Sequence, residues 1–254
     1  MTGKSYTLRE LRFGPPGRSI YGKLLLPDGV ERPKLIIFAH EVGCTHSSGR
    51  PYGPHLAERG YAFFAMDFRG GSARSKSDGR TEDMSVMTEV EDMEEIAAEA
   101  ASWDFVDGER PILMGGSQGA YVEAIYAGRH PERVRALIEM YPTFDIPAVM
   151  HRDFPSSDAI KDRYNYRGWI WFGPRYLHDV WDYDSFSETM QYTGPVLILQ
   201  GDADDVVDMR CPERAAREYK NARLQIIRGA GHIFSGGHVG EALAHIDAFL
   251  DSLE

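Results

Sequence analysis

The run RPILMGGSQGA (residues 110–120) sets Ser117 among glycines at the abrupt end of an apolar stretch, just before the helix-like AYVEAIYAGRH (120–130). Gly-x-Ser-x-Gly alone is a weak pattern. Strand, sharp turn and helix in succession make it a strong one, because flanking glycines then permit a strained turn that lifts a serine hydroxyl clear of a sheet. A serine hydroxyl attacks only when a base takes its proton, so an acid and a histidine are expected at later strand ends. The run PVLILQG (195–201) leads into DADDVVD (202–208), and LQIIRGAGH closes on His232. Spacing by itself does not choose among Asp202, Asp204, Asp205 and Asp208. The other eight histidines lack that strand-end setting, and His40 is expected to be a structural loop residue. The backbone N–H of Gln118, at the positive end of the helix that follows Ser117, is a candidate donor to an oxyanion.

Positioning such groups requires a rigid frame. Residues 5–13 and 20–26 alternate apolar with polar and are split by GPPG, as in a hairpin of half-exposed antiparallel strands. From residue 34 onward the pattern changes to short apolar runs, at 34–40, 61–67, 111–116, 135–141 and 195–201, suited to strands buried on both faces of a parallel sheet. Helix-like segments lie between and after them, at 51–60, 85–103, 120–130, 211–220 and 239–254. Alternating strand and helix predict an α/β fold with a mostly parallel central sheet flanked by helices, ligands binding beyond the carboxyl ends of the strands. Residues 142–193 break the alternation. They are too long and too aromatic for a plain connection and are expected to form a cap insertion within a single domain, 1–254.

Bulk properties narrow the partners. The 254 residues are 43% hydrophobic, enough to bury a sizeable core, and the formal net charge is −11 with no run of Lys and Arg to track a phosphate backbone. Nucleic acid is not an expected partner. Cys44 and Cys211 fit no metal or redox spacing and are expected to be free thiols. MTGKSYTLRELRFG has no apolar signal core, and no stretch reaches membrane-spanning length, so no membrane partner is expected and a soluble cytoplasmic protein is.

With GGSQG at the nucleophile, DGRTEDMSVMTEVED (78–92) before it, and GDADDVV (201–207) and GAGHIFS (229–235) after it, the chain resembles the α/β-hydrolase superfamily. Over most of its length it is similar to the intracellular cinnamoyl (feruloyl) esterases. The resemblance implies a triad of Ser117, His232 and, as fourth residue of Gly-x-x-Asp-x-x-Val, Asp204. It implies a second oxyanion donor in the loop after KLIIFAH, where position gives Val42. Relatives usually read His-Gly-x there, and this chain reads His40-Glu41-Val42-Gly43. That loop also resembles dienelactone hydrolases, in which a glutamate at this position contacts a cysteine nucleophile. With serine as nucleophile that activity does not carry over, and Glu41 is expected to be solvated. Tyr176 matches by position a tyrosine that contacts the phenolic hydroxyl of the acyl group in these esterases.

Residues 142–193 hold three of the chain's four tryptophans, Trp169, Trp171 and Trp181, and among their other aromatics are Tyr164, Tyr166, Phe172, Tyr176, Tyr183 and Phe186. Flat rings beside a catalytic serine offer stacking surfaces for a planar acyl group, so Tyr176, Trp169 and Trp171 are the expected substrate-binding residues. The expected reaction is cofactor-free and metal-free hydrolysis of a small-molecule hydroxycinnamate ester. A broad carboxylesterase or monoacylglycerol-type lipase is the alternative within the fold, and a ligand receptor that lost its chemistry is the alternative outside catalysis. The resemblance also implies a possible homodimer.

Overall fold

A computed structural model describes residues 5–253. The first four residues of the N-terminal stretch and Glu254, the end of the expected last helix, lie outside the described residues.

The hairpin forms as β1 (Tyr6–Phe13) and β2 (Ile20–Pro27), paired antiparallel. The apolar runs become β3 (Lys34–Ala39), β4 (Ala62–Asp67), β5 (Asp107–Gly116), β6 (Ala136–Met140) and β9 (Val196–Gly201), with β10 (Ala222–Ile227) at the edge. All eight make one sheet in the order β1-β2-β4-β3-β5-β6-β9-β10. The pairs from β4 through β10 are parallel, while β2 runs antiparallel to β4. β4, β6 and β9 are buried at every residue, which is why they read as unbroken apolar runs.

Helices cover both faces. α1 (Gly53–Glu58) and α8 (Gly237–Asp251) enclose one apolar core with Phe38, Phe63 and Leu199. On the other face α2 (Val86–Ala101), α3 (Gln118–Arg129) and α7 (Arg210–Glu218) enclose a second with Ile37, Phe64 and Ile198. Ser85 starts α2 with a capping box, exchanging hydrogen bonds with Thr88. α3 begins at Gln118, two residues before the expected start, because helical geometry resumes directly after the turn at Ser117.

Residues 142–193 fold as α4 (Ile146–Asp153), the hairpin β7 (Tyr164–Tyr166) and β8 (Ile170–Phe172), then α5 (Pro174–Val180) and α6 (Ser185–Thr189). This segment is tied down at close range. Ser85 Oγ donates to Asp179 at 2.5 Å, and a Cβ at Gly173 would lie 1.9 Å from the Glu82 carbonyl oxygen, so only glycine fits there.

Candidate active site

Ser117 has φ 53° and ψ −121°, a conformation that costs a side-chain-bearing residue roughly 1–3 kcal/mol. The surroundings enforce it. The Ser117 N–H donates to the Met140 carbonyl at 2.9 Å. A Cβ on Gly115 would sit 2.6 Å from the Ala120 nitrogen, one on Gly116 2.6 Å from Glu41 Oε1, and one on Gly119 2.4 Å from the Ala39 oxygen. The three glycines are therefore consequences of how tightly strand β5 turns into α3 between its neighbours.

Two later loops bring the partners. His232 Nε2 lies 2.9 Å from Ser117 Oγ, and its Nδ1 lies 2.9 Å from Asp204 Oδ2. Ser117 can donate to Nε2 while the Nδ1–H donates to the carboxylate, the tautomer a general base requires. Asp204 Oδ1 accepts the N–H groups of Val206 and Val207 at 2.8 and 3.0 Å. Burial would push this carboxyl up, but the hydrogen bonds from His232 and the two backbone amides outweigh burial and hold it below the usual range. The other acids of the loop are elsewhere: Asp202 accepts from the Gly229 N–H, Asp208 pairs with Arg210, and Asp205 is exposed.

Sequence reasoning missed Gln200, which is wholly buried and donates from Nε2 to Asp204 Oδ2 at 2.7 Å. A glutamine at the end of an apolar strand was the one available signal.

The loop after β3 is clamped by His40. The Phe68 N–H donates to His40 Nε2 at 3.1 Å, so the ring proton sits on Nδ1 and is donated to the Glu41 carbonyl at 2.8 Å. Burial lowers the pKa of this imidazole, favouring the neutral ring. Val42, next in the chain, lines the cavity beside Ser117 together with Gln118. Gln118 is the first residue of α3, where a helical N–H has no partner one turn back. Val42, Gln118 and Ser117 thus share one cavity wall.

Glu41 corrects an expectation. It is buried rather than solvated: Tyr141 Oη donates to Oε1 at 2.8 Å, and Oε2 has no partner among the described residues. Its location beneath Gly116, with Tyr141 packed against the His232 ring at 5.1 Å, is what removes it from water.

The cavity over Ser117 is about 500 Å³, within the size of small-molecule sites. Phe172 and Tyr176 form one wall, stacked at 3.7 Å and 8°. Tyr176 is buried, and its hydroxyl donates to Gln118 Oε1 at 2.6 Å. Trp169 also lines the cavity, at its exposed rim. Trp171 does not. Alternation along the short strand β8 turns Ile170 and Phe172 inward and Trp171 out, where Arg163 covers it at 4.7 Å. Asp145, also in the cavity wall and absent from the sequence expectations, is half-buried, and burial raises its carboxyl.

Both cysteines are free. Among the described residues no group of His, Cys, Asp and Glu is arranged to hold a metal, and no helix is long and apolar enough to cross a membrane.

A serine on a strained strand-to-helix turn, with an acid and a histidine supplied in that order by later loops of a mostly parallel sheet, defines an α/β hydrolase. The chain belongs to the prolyl oligopeptidase family, whose model matches residues 52–253. Among solved structures it is similar to Est1E from Butyrivibrio proteoclasticus with ferulic acid bound, at 23% identity over 95% of this chain and 98% of that one, TM-score 0.85. It is also similar to alpha/beta hydrolase domain-containing protein 10 from mouse (17% identity, 97% and 100% covered, TM-score 0.78). A dienelactone hydrolase from Anabaena variabilis matches at 16% identity, with 98% of each chain covered and a TM-score of 0.70. A search of curated protein sequences returned no match.

Proposed function

We propose that the protein is a serine carboxylic-ester hydrolase acting on esters of hydroxycinnamic acids. Ser117 Oγ attacks the ester carbonyl as His232 Nε2 takes its proton. Asp204 keeps the imidazole oriented and stabilises its charged form, and the N–H groups of Val42 and Gln118 receive the oxyanion. Collapse expels the alcohol, protonated by His232, and water then releases the acid from Ser117 by the same steps in reverse.

The observation that carries the acyl specificity is the parallel Phe172–Tyr176 stack in the cavity wall. A planar cinnamoyl group presents a flat face to such a wall, and a stacked aromatic pair adds about 0.5–1.5 kcal/mol beyond burial. The bound ferulic acid in Est1E, a protein of the same fold, supports the same reading.

A second reading rests on the remaining wall. Ile146, Val149, Met150 and Ile233 also line the cavity, and such residues suit the aliphatic acyl group of a broad carboxylesterase.

The experiment is a turnover panel of methyl ferulate, chlorogenic acid, and short and long p-nitrophenyl esters. A kcat/KM highest for the hydroxycinnamates supports the proposal. A maximum at a medium or long straight chain replaces it with the second reading.

A further inference from the structure

The hydroxyl of Tyr176 ends a buried chain of three side chains drawn from three separate elements. Glu89 of α2 is 1% exposed, and its Oε2 accepts from Gln118 Nε2 at 2.7 Å. Gln118 Oε1 in turn accepts from Tyr176 Oη at 2.6 Å. Glu89 Oε1 has no partner among the described residues. A buried carboxyl with one orphaned oxygen costs stability and calls for an explanation beyond packing.

Donor and acceptor rules supply one. An amide has a donating end and an accepting end, and a carboxylate only accepts. With Glu89 on one side, the Gln118 nitrogen must face it and the Gln118 oxygen must face Tyr176. Burial raises the Glu89 carboxyl to about 8, against the hydrogen bond from Gln118. A protonated carboxyl keeps a carbonyl oxygen that accepts from the same nitrogen but adds an O–H that suits a turned amide, so in that state the orientation rests on the nitrogen's other acceptor. Met84 Sδ, 3.8 Å from the same nitrogen, reinforces it, since sulfur has lone pairs for an N–H and nothing to offer an amide oxygen. The Tyr176 proton is thereby committed to Gln118. Tyr176 and Gln118 both line the cavity, and for a ligand there the hydroxyl has only lone pairs left to offer.

We infer that Glu89, acting through Gln118, is a positioning residue that fixes Tyr176 as a hydrogen-bond acceptor and so selects acyl groups whose ring carries a hydroxyl donor over those with an ether at the same place. This rests on the proposed hydroxycinnamate reading. Glu89 touches no substrate. Its effect is to decide which chemical group Tyr176 recognises.

The test is steady-state kinetics of the whole protein on the methyl esters of 4-hydroxycinnamate, 4-methoxycinnamate and unsubstituted cinnamate. In the wild type, KM for the hydroxy ester should be about fivefold below that for the methoxy ester, the size of one neutral hydrogen bond. Glu89→Leu should erase that ratio, whereas Glu89→Gln, whose carbonyl still accepts, should keep it. Tyr176→Phe should erase it too, and adding Glu89→Leu to Tyr176→Phe should change it no further. Should Glu89→Leu not fold, Gln118→Met, which keeps the main-chain N–H and removes both amide ends, must erase the ratio. A wild-type preference for the methoxy ester, an equal rise in KM on all three esters in Glu89→Leu, or a ratio preserved in Gln118→Met would overturn the inference. Failure of the wild type to hydrolyse any of the three would instead refute the hydroxycinnamate reading. Calorimetric binding of 4-hydroxycinnamate and 4-methoxycinnamate to the wild type then reads the donor preference directly, and equal or reversed affinities overturn it.

Discussion

Gln200 Nε2 donates at 2.7 Å to Oδ2 of Asp204, the same oxygen that faces His232 Nδ1 at 2.9 Å. Gln200 comes from the end of β9 and is fully buried, so it holds the acid against the sheet rather than leaving it on a mobile loop. Gln200→Leu is expected to lower kcat about tenfold with KM changed little, the loss of one hydrogen bond to a charged group that sets the imidazole's orientation. An unchanged kcat would show that the two backbone amides alone position Asp204.

Replacing each acid of residues 202–208 by asparagine separates their roles. Asp204→Asn should cost about 10⁴-fold in kcat, because an amide favours the wrong imidazole tautomer. Asp202→Asn, Asp205→Asn and Asp208→Asn should stay within a few-fold of wild type. A larger loss at any of these three would move the role to that residue.

The two exposed tryptophans of the cap should behave differently. Trp169 lines the cavity and Trp171 faces away from it under Arg163. Trp169→Ala should raise KM for aromatic esters several-fold through lost stacking surface, about 1 kcal/mol, while Trp171→Ala changes it less than twofold. Equal effects would mean that the cap moves as a unit on substrate binding.

Stability should fall as pH rises from about 5 to 8. Burial pushes Glu139 up to about 8, against its hydrogen bond from Tyr219, and burial followed by repulsion from Glu139 raises Glu123 well above the usual range. Carboxyls raised in the folded state hold protons that an unfolded glutamate releases near pH 4.3. Their stability is fully present below about pH 4.3 and is lost as pH climbs through the folded value, at up to about 1.4 kcal/mol per pH unit for each group. Glu139→Gln should therefore lose less stability than wild type between pH 5.5 and 7.5 in urea unfolding. An identical loss would mean that Glu139 is ionised in the folded protein.

The nucleophile turn was legible because its glycines answer to contacts within a few residues and one neighbouring strand. The choice of Asp204 was not legible from spacing, since four acids share one loop and only burial under Gln200 and His232 tells them apart. Glu41 was misread for the same reason: its environment is set by Tyr141, a hundred residues away in sequence. Glu89 and Gln118 meet between α2 and the start of α3, a pairing no local pattern announces. Trp171 is the opposite case. Period-two alternation in the triplet IWF places it outward, a pattern that the aromatic content of the segment as a whole does not show.

The proposed ester hydrolysis depends above all on Ser117 as nucleophile. Its most direct test is kcat/KM of purified, folded Ser117→Ala against wild type on the best ester of the panel. The expected result is a loss of at least about 10⁴-fold, approaching the million-fold typical of a missing triad serine. Retention of more than a few per cent of wild-type activity would contradict it.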